Sequence, residues 1–144
     1  MSNDKKVIVI PCSGIGKPIG TVSRETTYEI IENLAKDRAE TVCLAALTSG
    51  NEETIEKVKN NYVITLDGCA KHCAQKNVEQ YGKIPDKNYM ILKFSAANPD
   101  KKPQGLIDIG NSGKALVDTI SDKIAKDVED LTKNKKVTEK ENNH

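Results

Sequence analysis

Four consecutive β-branched residues, Val7 to Ile10 in "KKVIVIPCSG", constrain this chain more than any other feature. An unbroken apolar run of that length, closed by a turn, marks a strand buried on both faces, the kind found in parallel sheets. Parallel strands need long crossovers, which helices normally supply. The question is whether the rest of the chain alternates accordingly.

It does. "TVSRETTYEIIENLAKDRAE" carries Tyr28, Ile31, Leu34 and Ala35 at helical spacing, which predicts a helix from about Val22 to Asp37. "ETVCLAAL" reads as a second strand, although Leu-Ala-Ala-Leu can equally start a helical turn. "SGNE" offers a capping box, Ser49 with Glu52, ahead of a short helix to about Asn60. "NYVITLDGC" is a third strand halted by Gly68, and a helix is expected from about Cys69 to a C-terminal cap at Gly82. "NYMILKF" reads as a fourth strand, and "GLIDIG" as a fifth strand or a flap. A last helix opening near Asn111 or Ser112 carries the stripe Val117, Ile120, Ile124, Val128 and Leu131. The expected fold is a three-layer α/β/α arrangement with a mostly parallel, flavodoxin-like sheet of four to five strands. One domain spans 1–131. The tail at 132–144 has Val137 as its only apolar side chain and reads as disordered.

Composition narrows the function. Lys and Arg number 22 against 21 Asp and Glu, so the net charge of +1 gives no electrostatic ground for a nucleic-acid or membrane partner. Four Tyr, one Phe and no Trp make a poor base-stacking surface. No apolar segment is long enough for a membrane span, and a soluble cytoplasmic protein is expected. Cysteines in a reducing compartment are metal ligands, nucleophiles or buried hydrophobes rather than disulfides.

Four cysteines are present. Cys12 follows the first strand, Cys43 lies in or just past the second, and Cys69 follows the third. The intervals of 31 and 26 residues are close to one βαβ unit, roughly 30 residues. Parallel strands share a direction, so all three fall at the carboxyl edge, where open α/β sheets bind ligands. With strand order 2-1-3-4, neighbouring strands about 4.8 Å apart would stand Cys43, Cys12 and Cys69 side by side. Cys73, one helical turn past Cys69, would join them. Four thiolates suit tetrahedral zinc, and they also suit an iron–sulfur cluster. The competing account is packing: free cysteine behaves as a small hydrophobe, and Cys43 is flanked by Val42 and Leu44. His72 can substitute for Cys43 to give a Cys₃His set, although a helix residue beside Lys71 is more simply a surface side chain.

"DGCAKHCA" at Asp67–Ala74, with "CSGIGKPIG" at Cys12–Gly20 and Cys43 in "VCLAAL", resembles the DGC domain family, over about Val7 to Leu131. The family is described as zinc-binding. The resemblance implies Cys12, Cys43, Cys69 and Cys73 as the metal ligands, and says little of mechanism.

Other chemistry competes for the same residues. Gly14, Gly16 and Gly20 follow a strand and precede a helix, so they can turn amides toward an anion, with Lys17 and Arg24 assisting. The spacing is not the dinucleotide fingerprint, and Pro18 removes one amide donor. A thiol phosphatase would want an arginine closer to Cys12 than Arg24. A thiol redox enzyme would use Cys69 at a helix N-terminus, where the dipole stabilises thiolate. The chain is expected to be either a metal-binding module or an enzyme using the same cysteines, with Asp67 as a helix cap rather than a base.

Overall fold

The second strand pairs with the first, the first with the third and the third with the fourth, all in parallel, giving the order β2-β1-β3-β4. The computed structural model describes residues 5–12, 14–68 and 70–142, with side chains through 133. The strands are β1 (Val7–Pro11), β2 (Ala39–Glu40), β3 (Tyr62–Asp67) and β4 (Lys87–Met90). The helices are α1 (Pro18–Glu29), α2 (Leu44–Thr48), α3 (Glu52–Lys59), α4 (Cys73–Gln80), α5 (Ile91–Ala97) and α6 (Gly110–Asn142).

The β-branched run of β1 is fully buried, and its side chains alternate between two cores. Val7 and Val9 join Ile64 and Leu66 of β3 beneath α1, α5 and α6, against Val22, Ile91, Leu116 and Ile120. Ile8 and Ile10 join Val63 on the opposite face, against Leu47, Val58 and Val78 of α2, α3 and α4. Each fully buried side chain of this kind contributes about 1.5–3 kcal/mol. The helices switch faces as the chain winds from β2 across β1 to β3. That reversal opens a crevice at the carboxyl ends of β1 and β3.

Several boundaries differ from those expected. Helix α1 starts earlier, because Pro18 sits in its first turn, where its missing N–H costs nothing. It then relaxes into a π-helical segment, Ile30–Leu34, in which Ala35 N–H donates to the Ile30 carbonyl. Of the expected stripe, Ala35 is buried in the core and Ile31 packs against it, but Tyr28 and Leu34 do not. Tyr28 is 45% exposed and Leu34 lies outside the core, while Val22, Ser23, Thr26, Thr27 and Ile30 are buried. Ser23 and Thr27 hydroxyls donate to carbonyls one turn back, which makes their burial tolerable.

The second strand is only two residues long. The Thr41 hydroxyl donates to the Val9 carbonyl, and the Ala-rich stretch after Cys43 becomes α2. The cap of α3 is Asn51, whose side chain accepts from Thr54 N–H, rather than the Ser49–Glu52 pair. "NYMILKF" divides at Met90 into strand and helix, with no loop between. "GLIDIG" forms no strand: Leu106 and Ile107 are exposed, and the Leu106 carbonyl is held by the Thr21 hydroxyl. At the end of α4, Gly82 has φ +86 as expected of a cap, with Gly82 and Lys83 amides returning to Glu79 and Val78. The stripe on α6 is buried through Val128, and the helix continues past Leu131 to Asn142. Among the described residues no helix is long and apolar enough to cross a membrane.

The loop between β1 and α1 closes on itself through glycines. Gly14 has φ +40, and its carbonyl lies where a Cβ on Gly20 would have to be. Backbone cannot yield as a side-chain end can. Gly20→Ala should therefore destabilise the protein at the upper end of the about 1–3 kcal/mol usual for overpacking. Gly16→Ala, with nothing within 4 Å of its Cβ position, should be close to neutral. Denaturant unfolding of both variants checks the contrast.

Candidate functional site

At the end of β3, the Asp67 side chain is 1% exposed and accepts three hydrogen bonds. Its Oδ1 takes the Ala74 amide at 2.7 Å, and its Oδ2 takes the Gln75 amide at 3.2 Å and Asn88 Nδ2 at 2.9 Å. Ala74 and Gln75 are the second and third residues of α4. Asp67 is thus the helix cap expected of it, but it caps from the preceding strand, five residues before His72, the position next to the helix. Asn88 on β4 was not foreseen. It also donates to Thr65 Oγ1 at 2.6 Å, so a polar seam runs between β3 and β4 under α4.

The helix begins at Cys73, not near Cys69. Lys71 lies in a turn, and His72 takes a left-handed conformation with φ 54 and ψ 45. The left-handed region is uncommon outside glycine and costs energy, though His is among the residues enriched there. The helix therefore presents Cys73 at its N-terminus. Cys69, expected there, lies outside the described residues, as does Ser13.

Gly68 sits between the two ends of the crevice. Its N–H donates to Cys12 Sγ at 3.3 Å. A Cβ on Gly68 would stand 2.9 Å from Ile19 Cγ2 and 3.5 Å from Cys12 Sγ. The Asp-Gly pair thus has two separate duties: the carboxylate holds the helix start, and the bare Cα leaves room for Ile19 while its amide meets the Cys12 sulfur.

Cys12 is half-buried just past β1. Burial pushes its thiol above the ordinary value of 9.0, opposed by hydrogen bonds from Gly68 and Ser23 and reinforced by the charges of Asp67 and Cys73. Cys12, Cys73 and His72 line one cleft of about 450 Å³ at the carboxyl edge. His72 Nδ1 is 3.7 Å from Asp67 Oδ2 and finds no hydrogen-bond partner among the described residues, although the atom is buried. Cys43 lies elsewhere on the same edge. It is exposed, caps α2 through its backbone, and does not line the cleft. Among the described residues no three His, Cys, Asp or Glu side chains stand close enough to hold one metal ion.

Lys17 lines the cleft; Arg24 does not, and its Nη2 donates to Thr21 Oγ1 on α1. The amides of Gly14, Lys17, Gly20 and Thr21 are all committed to carbonyls within the loop and the first turn of α1. Ile15, Ile19 and Leu92, which the sequence did not single out, supply apolar walls. Only their tertiary position marks them.

A parallel α/β sheet whose crevice holds thiols at a strand end and a helix start defines the class: an α/β protein with a cysteine-bearing carboxyl edge. The DGC domain model matches residues 8–106, well over half of the chain, and the protein belongs to the DGC domain family. The match stops short of α6, although α6 completes one of the two cores. Neither the curated proteins nor the solved structures compared with this chain match it.

Two expectations follow. Asp67→Ala strips partners from two helix amides and from Asn88, so it should cost about 2 kcal/mol in denaturant unfolding, more than an exposed cap. For Cys12, the folded value lies above the unfolded one. Its contribution to stability is fully present below about pH 9 and is lost as pH rises through the folded value. In metal-free protein with Cys43, Cys69 and Cys73 replaced by serine, alkylation of Cys12 should have its pH midpoint above 9.0. A midpoint below that value would contradict the burial argument.

Proposed function

We propose that the protein is a metal-binding module that takes zinc through Cys12, Cys43, Cys69 and Cys73. The observation that supports this is the strand order β2-β1-β3, all parallel, with Cys43 beyond β2, Cys12 beyond β1 and the "DGCAKHC" segment beyond β3. The donor chemistry fits: four thiolates satisfy a soft, tetrahedral divalent ion at Zn–S distances of about 2.3 Å. Zinc would neutralise thiolates that otherwise repel one another, and would tie together segments that the fold already brings to one edge.

A second ligand set has its own support. His72 Nδ1 is buried and unpartnered among the described residues, in the cleft shared by Cys12 and Cys73, whereas Cys43 is outside that cleft. A Cys₃His site of Cys12, Cys69, Cys73 and His72 therefore rivals the four-cysteine set. An iron–sulfur cluster on the same cysteines, or thiol redox chemistry, is the competing function.

Anaerobic purification with elemental analysis and an absorption spectrum separates these. About one zinc per chain and no visible absorbance is the expected result; iron, sulfide and brown colour would replace it with a cluster. Cys12→Ser, Cys69→Ser and Cys73→Ser should each lower zinc affinity by at least about tenfold in chelator competition. A comparable loss in Cys43→Ser, with a small one in His72→Ala, assigns the fourth ligand to Cys43; the reverse assigns it to His72. Full zinc content in Cys69→Ser would overturn the proposal.

A further inference from the structure

The cleft holds far more space than a metal ion fills. At about 450 Å³ it lies in the range of small-molecule sites, roughly 300–1,000 Å³. Much of its wall is apolar, from Ile15, Ile19 and Leu92. Ile15 is 79% exposed and Leu92 46% exposed, so hydrophobic side chains stand in water around its mouth. Such exposure at a concave surface marks a binding site rather than a packing accident.

The exposed charged side chains that line the cleft are lysines. Lys17 on the β1–α1 loop and Lys71 in the turn before α4 both line it and are exposed. Neither makes an ion pair with another described residue. The carboxylate among the lining residues, Asp67, is buried and fully engaged by Ala74, Gln75 and Asn88, so it does not offset the two ammonium groups at the surface. Four of the loop and first-turn amides, those of Gly14, Lys17, Gly20 and Thr21, are already bonded to carbonyls. The two lysines are the cationic side chains that line the cleft and can meet a negative group. Ammonium groups on flexible stems serve as point charges that tolerate a carboxylate in several orientations.

We infer that the cleft binds a small amphiphilic carboxylate, its aliphatic body against Ile15, Ile19 and Leu92 and its anionic head between Lys17 and Lys71. Neither lysine is a metal ligand and the apolar wall carries no donor atoms, so the lysine and leucine variants test this site separately from the metal site. The ligand is distinguished from an inorganic anion by the hydrophobic wall, and from a neutral lipid-like molecule by the unpaired lysines. Burial of the aliphatic part supplies most of the affinity and the charges supply selectivity.

Octanoate is the probe, titrated calorimetrically into the full chain as purified, with octanamide, acetate and inorganic phosphate in parallel. One saturable octanoate site per chain is expected. Octanamide, acetate and phosphate should each bind at least roughly tenfold more weakly, the first for want of charge and the others for want of an apolar body. The double variant Lys17→Gln/Lys71→Gln should lose roughly tenfold in octanoate affinity while keeping its affinity for octanamide. Leu92→Ser should weaken both ligands. All three side chains involved are exposed, so the variants should fold, which circular dichroism checks. Zinc content, measured on each variant, reports separately on the metal site and is expected to stay at the wild-type level. Absence of saturable octanoate binding, equal binding of octanamide, or an unchanged affinity in the double lysine variant would each overturn the inference.

Discussion

A single buried carboxylate ties the working edge of this molecule together. Asp67 stands at the last position of β3, where the chain leaves the sheet, and it binds amides in the first turn of α4 and a side-chain amide on β4. A carboxylate removed from water is costly unless its oxygens are satisfied by donors. Here the donors are the orphan amides that a helix start leaves without partners. The two deficits cancel, and the geometry of cancellation sets where α4 begins. Since Cys73 is the first residue of that helix, the position of its thiol follows from the Asp67 contact.

Gly68 extends the same arrangement to β1. Its amide meets the Cys12 sulfur, and its missing side chain leaves room for Ile19. The Gly14–Gly20 contact closes the β1–α1 loop on itself, and the Cys12 amide donates to the Leu66 carbonyl of β3 at 2.9 Å. Close backbone approach accounts for Gly14 and Gly20. It also accounts for the half-burial of Cys12, and through it for a thiol that holds its proton more firmly than usual. Any metal at Cys12 has to displace that proton, so metal uptake and pH are coupled at this residue.

The face of α1 beside Cys12 is lined with hydroxyls rather than aliphatic side chains. Ser23 and Thr27 return their hydroxyl hydrogens to the helix's own carbonyls, and Ser23 also reaches Cys12. Small, internally bonded residues let the helix lie close to the sheet while keeping a polar atom within reach of the sulfur. That choice explains why apolar spacing found Ile31 and Ala35 on the packed side but also took in the exposed Tyr28 and Leu34: hydropathy does not count a buried hydroxyl whose bond is made locally.

The alternation of a β-branched strand with helical segments was enough, on its own, to determine an α/β fold with parallel strands. The DGC domain family was legible in the same way, because its residues sit at strand ends and turns where local chemistry is specific. Boundaries were less legible. The apolar runs "CLAAL" and "YMILKF" suit strand or helix alike, and only the sheet's length, set by pairing with β1 and β3, decided where each changed. Which cysteines share a cleft was beyond the sequence too. Spacing along the chain leads one to expect Cys12, Cys43 and Cys69 at one edge, but an edge is several strand spacings wide. It was the fold of the turns, fixed by Asp67 and the glycines, that drew Cys12 and Cys73 to one cleft with His72 and left Cys43 outside it. Local sequence carries strand and helix preference because that depends on neighbouring residues; the meeting of side chains from distant segments depends on contacts made only when the whole sheet has formed.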